Sequence, residues 1–497
     1  MGVEIDRTEF TAEDYSNFQQ RLERNLLALQ HLLQKKGFGE GKASIGAELE
    51  MYLVDKQGLP ALVNKEVLDD AGDASLTVEL NRYNLEYNLD PYLLDQQALL
   101  STEQAITAKL NALQKVAEGH AARIAMVGIL PTLTRQHFGP PCMTDRRRYH
   151  ALVNQLLQER GSDFVVDING DDPLRLQMTD VTLEGANTSF QLHYRVSPGD
   201  FVDTYNAMQL ATPLVLAIAG NSPGLFGNML WEETRIPLFK QSIDTRITDR
   251  YKWHSPARVN FGNGWLRDSV FNLFLEAVRL YPALLPVCSD EDPLEIIQNE
   301  AIPALHELRL QQSSVWTWNR PVFDDADGGH LRIEMRALPA GPTAIDMVAN
   351  AALMLGLTEH IRSNIDLLLP AIPFNLAEYN FYRAAQHGLQ AKLVWPSPRQ
   401  NSCKEQAVDE ILAALLPGVA DALSGLGLAK KEVERYVAVI EGRLVTGQTG
   451  ARWQRQSVAA LEEKHSRQDS LHRMLESMIE NSASNKPVAD WKVASSL

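Results

Sequence analysis

Ile45-Gly46-Ala47-Glu48-Leu49-Glu50-Met51-Tyr52-Leu53 repeats its apolar positions with a period of two. Successive side chains of a strand point to opposite faces, so Ile45, Ala47, Leu49, Met51 and Leu53 share one face. Glu48 and Glu50 share the other, their Cα atoms roughly 6.5–7 Å apart at a rise of about 3.3 Å per residue. Like charges on one strand face repel unless water or cations neutralise them.

The same pattern recurs at three separate places. In Tyr83-Asn84-Leu85-Glu86-Tyr87-Asn88-Leu89, Glu86 lies on the polar face between Asn84 and Asn88. In Phe190-Gln191-Leu192-His193-Tyr194-Arg195-Val196, the polar face carries Gln191, His193 and Arg195. In His330-Leu331-Arg332-Ile333-Glu334-Met335-Arg336, it carries His330, Arg332, Glu334 and Arg336. One such strand is the solvated side of a half-buried sheet. Four together are different, because the polar positions are Glu, His and Arg rather than Thr, Ser and Lys. If the strands are neighbours, one sheet face bears a carboxylate cluster beside guanidinium groups.

Hard divalent cations take oxygen ligands, and Mg²⁺ combines a few carboxylates with substrate phosphates. Arginine grips phosphate or carboxylate with two hydrogen bonds. A mixed Glu/Arg/His face therefore suits phosphoryl transfer from a metal-bound nucleotide. Zinc hydrolysis fits less well: a single histidine lies in the cluster and H-E-x-x-H is missing from the sequence. G-x-x-x-x-G-K-[ST] and a strand-borne G-x-G-x-x-G are missing too, so any ATP site uses another architecture.

Composition narrows the class. A 45% hydrophobic content in 497 residues supplies a large core and excludes bulk disorder. The formal charge of −16 disfavours nucleic acid and anionic membranes as partners, since both seek a positive surface. Cys142, Cys288 and Cys403 are odd in number and far apart, which fits a reducing compartment. Met1-Gly2-Val3-Glu4-Ile5-Asp6 does not read as a signal peptide, and Asp6 spoils a myristoylation reading of Gly2. The most apolar stretch, Leu210–Ala219, is short of the roughly 18 residues a bilayer requires. A cytoplasmic protein is expected.

Helical periodicity is read over 11–36, 92–119, 145–160, 200–219, 266–283 and 343–368, with strands at 43–54 and 123–130. The fold class is α+β: an antiparallel or mixed sheet with a polar catalytic face and helices packed on its other side. Pro396 and Pro398 mark a change of character. Residues 1–390 read as the catalytic domain. Residues 391–497 read as a helical C-terminal extension, with helices at 404–415, 428–442 and 452–480 and a frayed Ser/Asn-rich tail.

At these residues the chain resembles the glutamate–cysteine ligase and carboxylate–amine ligase family, whose catalytic fold is glutamine-synthetase-like. Gly46-Ala47-Glu48-Leu49-Glu50 is similar to its first metal-binding strand, and Asn84-Leu85-Glu86-Tyr87-Asn88 to its second. Arg148-Tyr149, Leu192-His193-Tyr194, Asn221-Ser222-Pro223 with Arg235, and Arg332-Ile333-Glu334-Met335-Arg336 follow in the family's order. Gln191 stands where many bacterial relatives carry the first His of His-x-His.

The resemblance implies ATP-dependent amide formation: a carboxylate, the glutamate γ-carboxylate, attacks the γ-phosphate, and an amine, cysteine, then attacks the acyl phosphate. It assigns Glu48, Glu50, Glu86, His193 and Glu334 to Mg²⁺ or Mn²⁺, and Arg336 with Arg332 to the moving phosphoryl group. Arg195 and His193 would contact the nucleotide, and Arg235 and Asn221 the substrate. A salt bridge to Glu232 or Glu233 is the competing role for Arg235. Core packing competes with a pocket wall for Trp316 and Trp318. Partners are expected to be small molecules. A ligase for another amine or acid, a guanidino-type kinase and a non-catalytic nucleotide binder are the alternatives.

Overall fold

The computed structural model describes residues 5–246, 255–397 and 402–495; Gly2 and Pro398 lie outside them. Seven strands form the central sheet: β1 (Ser44–Val54), β2 (Leu76–Val78), β3 (Asn84–Leu93), β4 (Arg123–Ala125), β5 (Phe190–Val196), β6 (Asn319–Asp324) and β7 (His330–Met335). Their order is β6-β7-β5-β1-β3-β2, with β4 added beside the second half of β1. Every pairing in this sheet is antiparallel.

The register brings the four polar strands together. Glu334 pairs with His193, Glu48 with Gln191 and Asn88, and Glu50 with Glu86. The register jumps between Ile45, opposite Tyr92, and Ala47, opposite Leu89. The extra residue falls where β3 carries Asp90-Pro91, and proline, having no N–H to give, is at home in such a bulge.

The other face is dry. Ile45, Ala47, Leu49, Met51, Leu192, Ile333 and Met335 are buried against the helices Phe201–Ala219 and Ala344–Arg362, whose residues belong to the same core. Each fully buried Leu or Ile contributes roughly 1.5–3 kcal/mol by leaving water. Apolar residues surround the first of these helices on all sides because it is buried on all sides.

The C-terminal residues pack on that layer. Leu393, Leu412, Val419, Tyr436 and Ile440 join the core of the two central helices. A Cβ on Gly356 would lie 2.5 Å from the Val419 side chain, so this helix crossing needs glycine. Buried Arg443 donates to Asp346 at 2.8 Å and to Asn350 at 2.6 Å.

Several boundaries differ from the sequence reading. Helix Ala98–Gly119 starts late because β3 runs on to Leu93. Only Arg123–Ala125 of the 123–130 stretch joins the sheet; Gly128 instead donates its N–H to the Asn221 carbonyl. Residues 402–407 pair with 392–397 as a hairpin, and the helix begins at Val408. The 452–480 stretch is two helices, Gly450–Glu462 and Arg467–Ala483. The tail expected to fray is docked as far as it is described: Val488 and Trp491 are buried, and Trp491 packs edge-on against Trp453 at 5.1 Å. Two apolar anchors outweigh a polar composition there.

Candidate active site

The polar sheet face floors a cleft of about 440 Å³. Glu48, Glu50, Glu79, Glu86 and Glu184 line it, with Arg146, Arg148, Arg320 and Arg336. Tyr149, Leu152, Leu156, Ile243 and Trp316 add an apolar wall. Trp318, by contrast, is buried against Phe239 and Phe381, so the tryptophan pair divides between pocket and core.

Glu48, which lines the cleft, forms a group with His193 and Glu334 in which each offers a ligand atom within 4.8 Å of the others. His193 Nε2 lies 3.1 Å from Glu48 and 3.7 Å from Glu334. Glu334 also receives a two-pronged contact from Arg320, at 2.6 and 3.0 Å, and Arg336 Nη1 at 3.2 Å. Burial alone would raise the Glu334 carboxyl, but Arg320, Arg336 and His193 hold it well below the usual carboxylate range. Burial works against the Arg336 charge, yet Glu334, Glu48 and Glu50 outweigh it and secure the guanidinium.

Gln191 joins the two halves of the site. Its amide donates to Glu50 at 3.0 Å and accepts from Arg336 at 2.6 Å, while the Ser189 N–H donates to Glu50 at 2.7 Å. Further along, Glu86 accepts from Asn88 at 2.7 Å and is hydrogen-bonded to Glu79. Burial, then the neighbouring charge of Glu79, pushes the Glu50 carboxyl up to about 7. Burial with Glu48, Glu79 and Glu50 nearby raises Glu86 well above its ordinary value. Burial followed by Glu79 and Glu50 takes Glu184 up to about 8. Carboxylates crowded in this way call for positive charge from outside the protein, and the oxygen-rich donor set matches a hard divalent cation.

Other residues singled out by sequence lie elsewhere. Arg332 and Arg195 face each other across β7 and β5, one step past Glu334 and His193 and outside the lining of this cleft. Arg332 is engaged by Asp324 at 2.7 Å, and Arg195 by the Glu40 carbonyl at 3.4 Å. Arg235 and Asn221 are buried against the backbone that follows β7 and do not line the cleft. Arg235 pairs with Glu233 at 3.2 Å, which is the salt-bridge role weighed against substrate contact. Asn221 donates to the Ala340 carbonyl and accepts from Gln454.

Sequence reasoning did not single out Glu79 and Glu184 and gave Arg320 no role. Arg320 had a signal: the Asp325–Gly329 turn makes β6 and β7 a hairpin in which Arg320 falls opposite Glu334. Glu79 sits just past β2, where its N–H meets the Asn84 carbonyl. Glu184 lies on a one-turn helix, Thr182–Ala186, with no periodic pattern to flag it.

An antiparallel sheet with a carboxylate-lined face, backed by helices, is the architecture of ATP-dependent carboxylate–amine ligases. The chain belongs to glutamate–cysteine ligase family 2, whose model matches residues 44–477, and is an ATP-dependent ligase of that family. Two solved structures share the fold at low identity. Francisella tularensis glutamate–cysteine ligase in complex with AMP is 13% identical, with a TM-score of 0.53 and 90% of each chain covered. A bifunctional glutathione synthetase from Pasteurella multocida is 12% identical, with a TM-score of 0.51, covering 93% of this chain and 55% of that one. No curated protein sequence matches the chain. No helix among the described residues is long and apolar enough to cross a membrane.

Proposed function

We propose that the enzyme joins the γ-carboxylate of glutamate to the amino group of cysteine through an acyl phosphate, releasing ADP and phosphate. The observation that carries this reading is the Glu48–His193–Glu334 cluster, joined to the cleft through Glu48 and through Arg320 and Arg336, which line the cleft and pair with Glu334. Glu48, His193 and Glu334 would hold one Mg²⁺ or Mn²⁺, and Glu50 and Glu86 with Glu79 stand where a second would be taken. Such cations would supply neutralisation of the nucleotide's phosphate charge.

The chain's own residues do the rest. Arg336, fixed by Gln191 and Glu334, offers its guanidinium to the phosphoryl group as charge moves onto it. Arg320 holds Glu334 in place. Arg332, proposed with Arg336 for the moving phosphoryl group, and Arg195, proposed for the nucleotide, lie further along the same strand face. The apolar wall of Leu152, Leu156, Ile243 and Trp316 keeps water from the reactive acyl group. Arg235 and Asn221 act through Arg336 and the Ala337–Ala340 backbone rather than on substrate. Small molecules are the proposed partners, in the cytoplasm.

The test is ADP release with Mg²⁺ and ATP, first with glutamate and then with a panel of amines including cysteine. Release that needs both glutamate and cysteine, with γ-glutamylcysteine seen by mass spectrometry, is expected. Release with another amine would reassign the substrate and keep the chemistry. A phosphorylated product without an amide would make the protein a kinase.

A further inference from the structure

Glu184 enters the cleft differently from the other carboxylates. Glu48 is bonded to His193, Glu50 to Ser189 and Gln191, and Glu86 to Asn88 and Glu79. Among the described residues the Glu184 carboxylate has no hydrogen-bond or ion-pair partner, although it is half-buried and lines the cavity. It also belongs to no set of three ligand atoms within 4.8 Å among these residues; Glu48, His193 and Glu334 form that set.

Its position is nevertheless built. Asn81 donates its amide to the Thr182 carbonyl at 2.9 Å, the Gly139 N–H donates to Thr182 Oγ1 at 2.8 Å, and the Tyr52 hydroxyl donates to the Ala186 carbonyl. A Cβ on Gly185 would lie 2.4 Å from the Asn81 amide, so the turn is pressed onto its support. A pinned turn that aims a carboxyl group without a hydrogen-bond partner at the cleft is a poor device for stability, since a half-buried polar group left unpaired is costly. It is a good device for recognition.

We propose that Glu184 is a specificity-determining residue that receives the ammonium group of the amine substrate. This inference rests on the ligase reading above. Arg336 and Glu184 line the same cleft, so an amine held by Glu184 lies in the cleft where the acyl phosphate forms. An α-amino group has a solution pKa of about 7.7–8.0 and arrives largely protonated at neutral pH. Val181, Leu152 and Tyr149 line the same cleft and strengthen such a contact by limiting water.

The experiment compares wild type, Glu184→Gln and Glu184→Asp with the panel's preferred amine, and with hydroxylamine, which is neutral at neutral pH. Glu184→Gln should raise the KM for the charged amine about 10- to 100-fold, the scale of one lost charge-assisted contact. The KM for ATP and the Mg²⁺ dependence should stay near wild type, and the melting temperature should not fall. Hydroxylamine turnover should fall far less than turnover of the charged amine, and Glu184→Asp should recover part of the loss. A raised Mg²⁺ requirement would overturn the inference and make Glu184 a metal ligand. Equal losses with charged and neutral amines would also overturn it and leave the ligase reading standing. Wild type inactive with every amine would remove both.

Discussion

Arg235 donates from Nη2 to the backbone carbonyl of Arg336 at 3.2 Å, so one buried arginine sets the place of another. The link extends further. Arg235 Nη1 meets the Ala337 carbonyl and Glu233, and Glu233 accepts from the Asn221 N–H and the Ser222 hydroxyl. Gln454, from the C-terminal helices, donates to Asn221 at 2.9 Å. The Asn-Ser-Pro loop is thereby a brace for the strand end that carries Arg336.

Arg235→Ala should be destabilising by about 3–5 kcal/mol, because it leaves the Glu233 carboxylate buried without its cation. Arg235→Lys should be milder in stability yet lower kcat more than the KM for either amino acid. Denaturant unfolding and steady-state kinetics check both. A rise in glutamate KM alone, with stability unchanged, would make Arg235 a substrate ligand instead.

Glu334 serves two masters, the cation cluster and the arginine pair. Glu334→Gln should reduce ADP formation by about 10³-fold or more, the scale on which phosphoryl-transfer charge groups act. It should also cost about 1–3 kcal/mol of stability, because Arg320 loses a charged partner. Arg336→Ala should lose far more turnover than ATP affinity. Wild-type ADP release in Glu334→Gln would sink the metal assignment.

The four polar strands were legible because period-two alternation survives as local sequence; that they are neighbours was only a condition of the reading, which the register meets. The bracing role of Arg235 was not legible. Its partners Ala337 and Arg336 lie about a hundred positions away, and a carbonyl acceptor has no residue type to betray it. Gln191 was read as a departure from a histidine pattern, whereas its amide bridges Glu50 and Arg336, a task needing a donor and an acceptor together. The tail misled for a simpler reason: Trp491 and Val488 dock a segment whose remaining residues are polar.

Metal-free protein should lose stability as the pH rises. Burial and the neighbouring carboxylates push Glu50 up to about 7 and Glu184 up to about 8. Both pKa values exceed that of an unfolded glutamate, about 4.3, so the folded state binds more protons. Their stabilising contribution is complete below the unfolded value and is lost as the pH passes the folded ones. With a chelator present, the melting temperature should fall between about pH 4 and pH 8. Mg²⁺ should restore much of it, since a ligand of the folded state alone stabilises by mass action. A flat profile without metal would contradict the crowding of these carboxylates.

The residues from 391 onward can be tested as part of the fold. Removing them strips Leu393, Leu412, Val419, Tyr436 and Ile440 from the layer formed by Phe201–Ala219 and Ala344–Arg362. It also leaves Asp346 buried without Arg443. A chain ending at residue 390 should therefore fail to give a cooperative unfolding transition. In the full chain, Arg443→Ala should cost about 3–5 kcal/mol for the same unpaired carboxylate. Restoring neutrality with Asp346→Asn in that background should recover part of the loss, measured as a double-mutant cycle. Cooperative unfolding and ADP release from residues 1–390 alone would show that the extension is an accessory rather than a wall of the core.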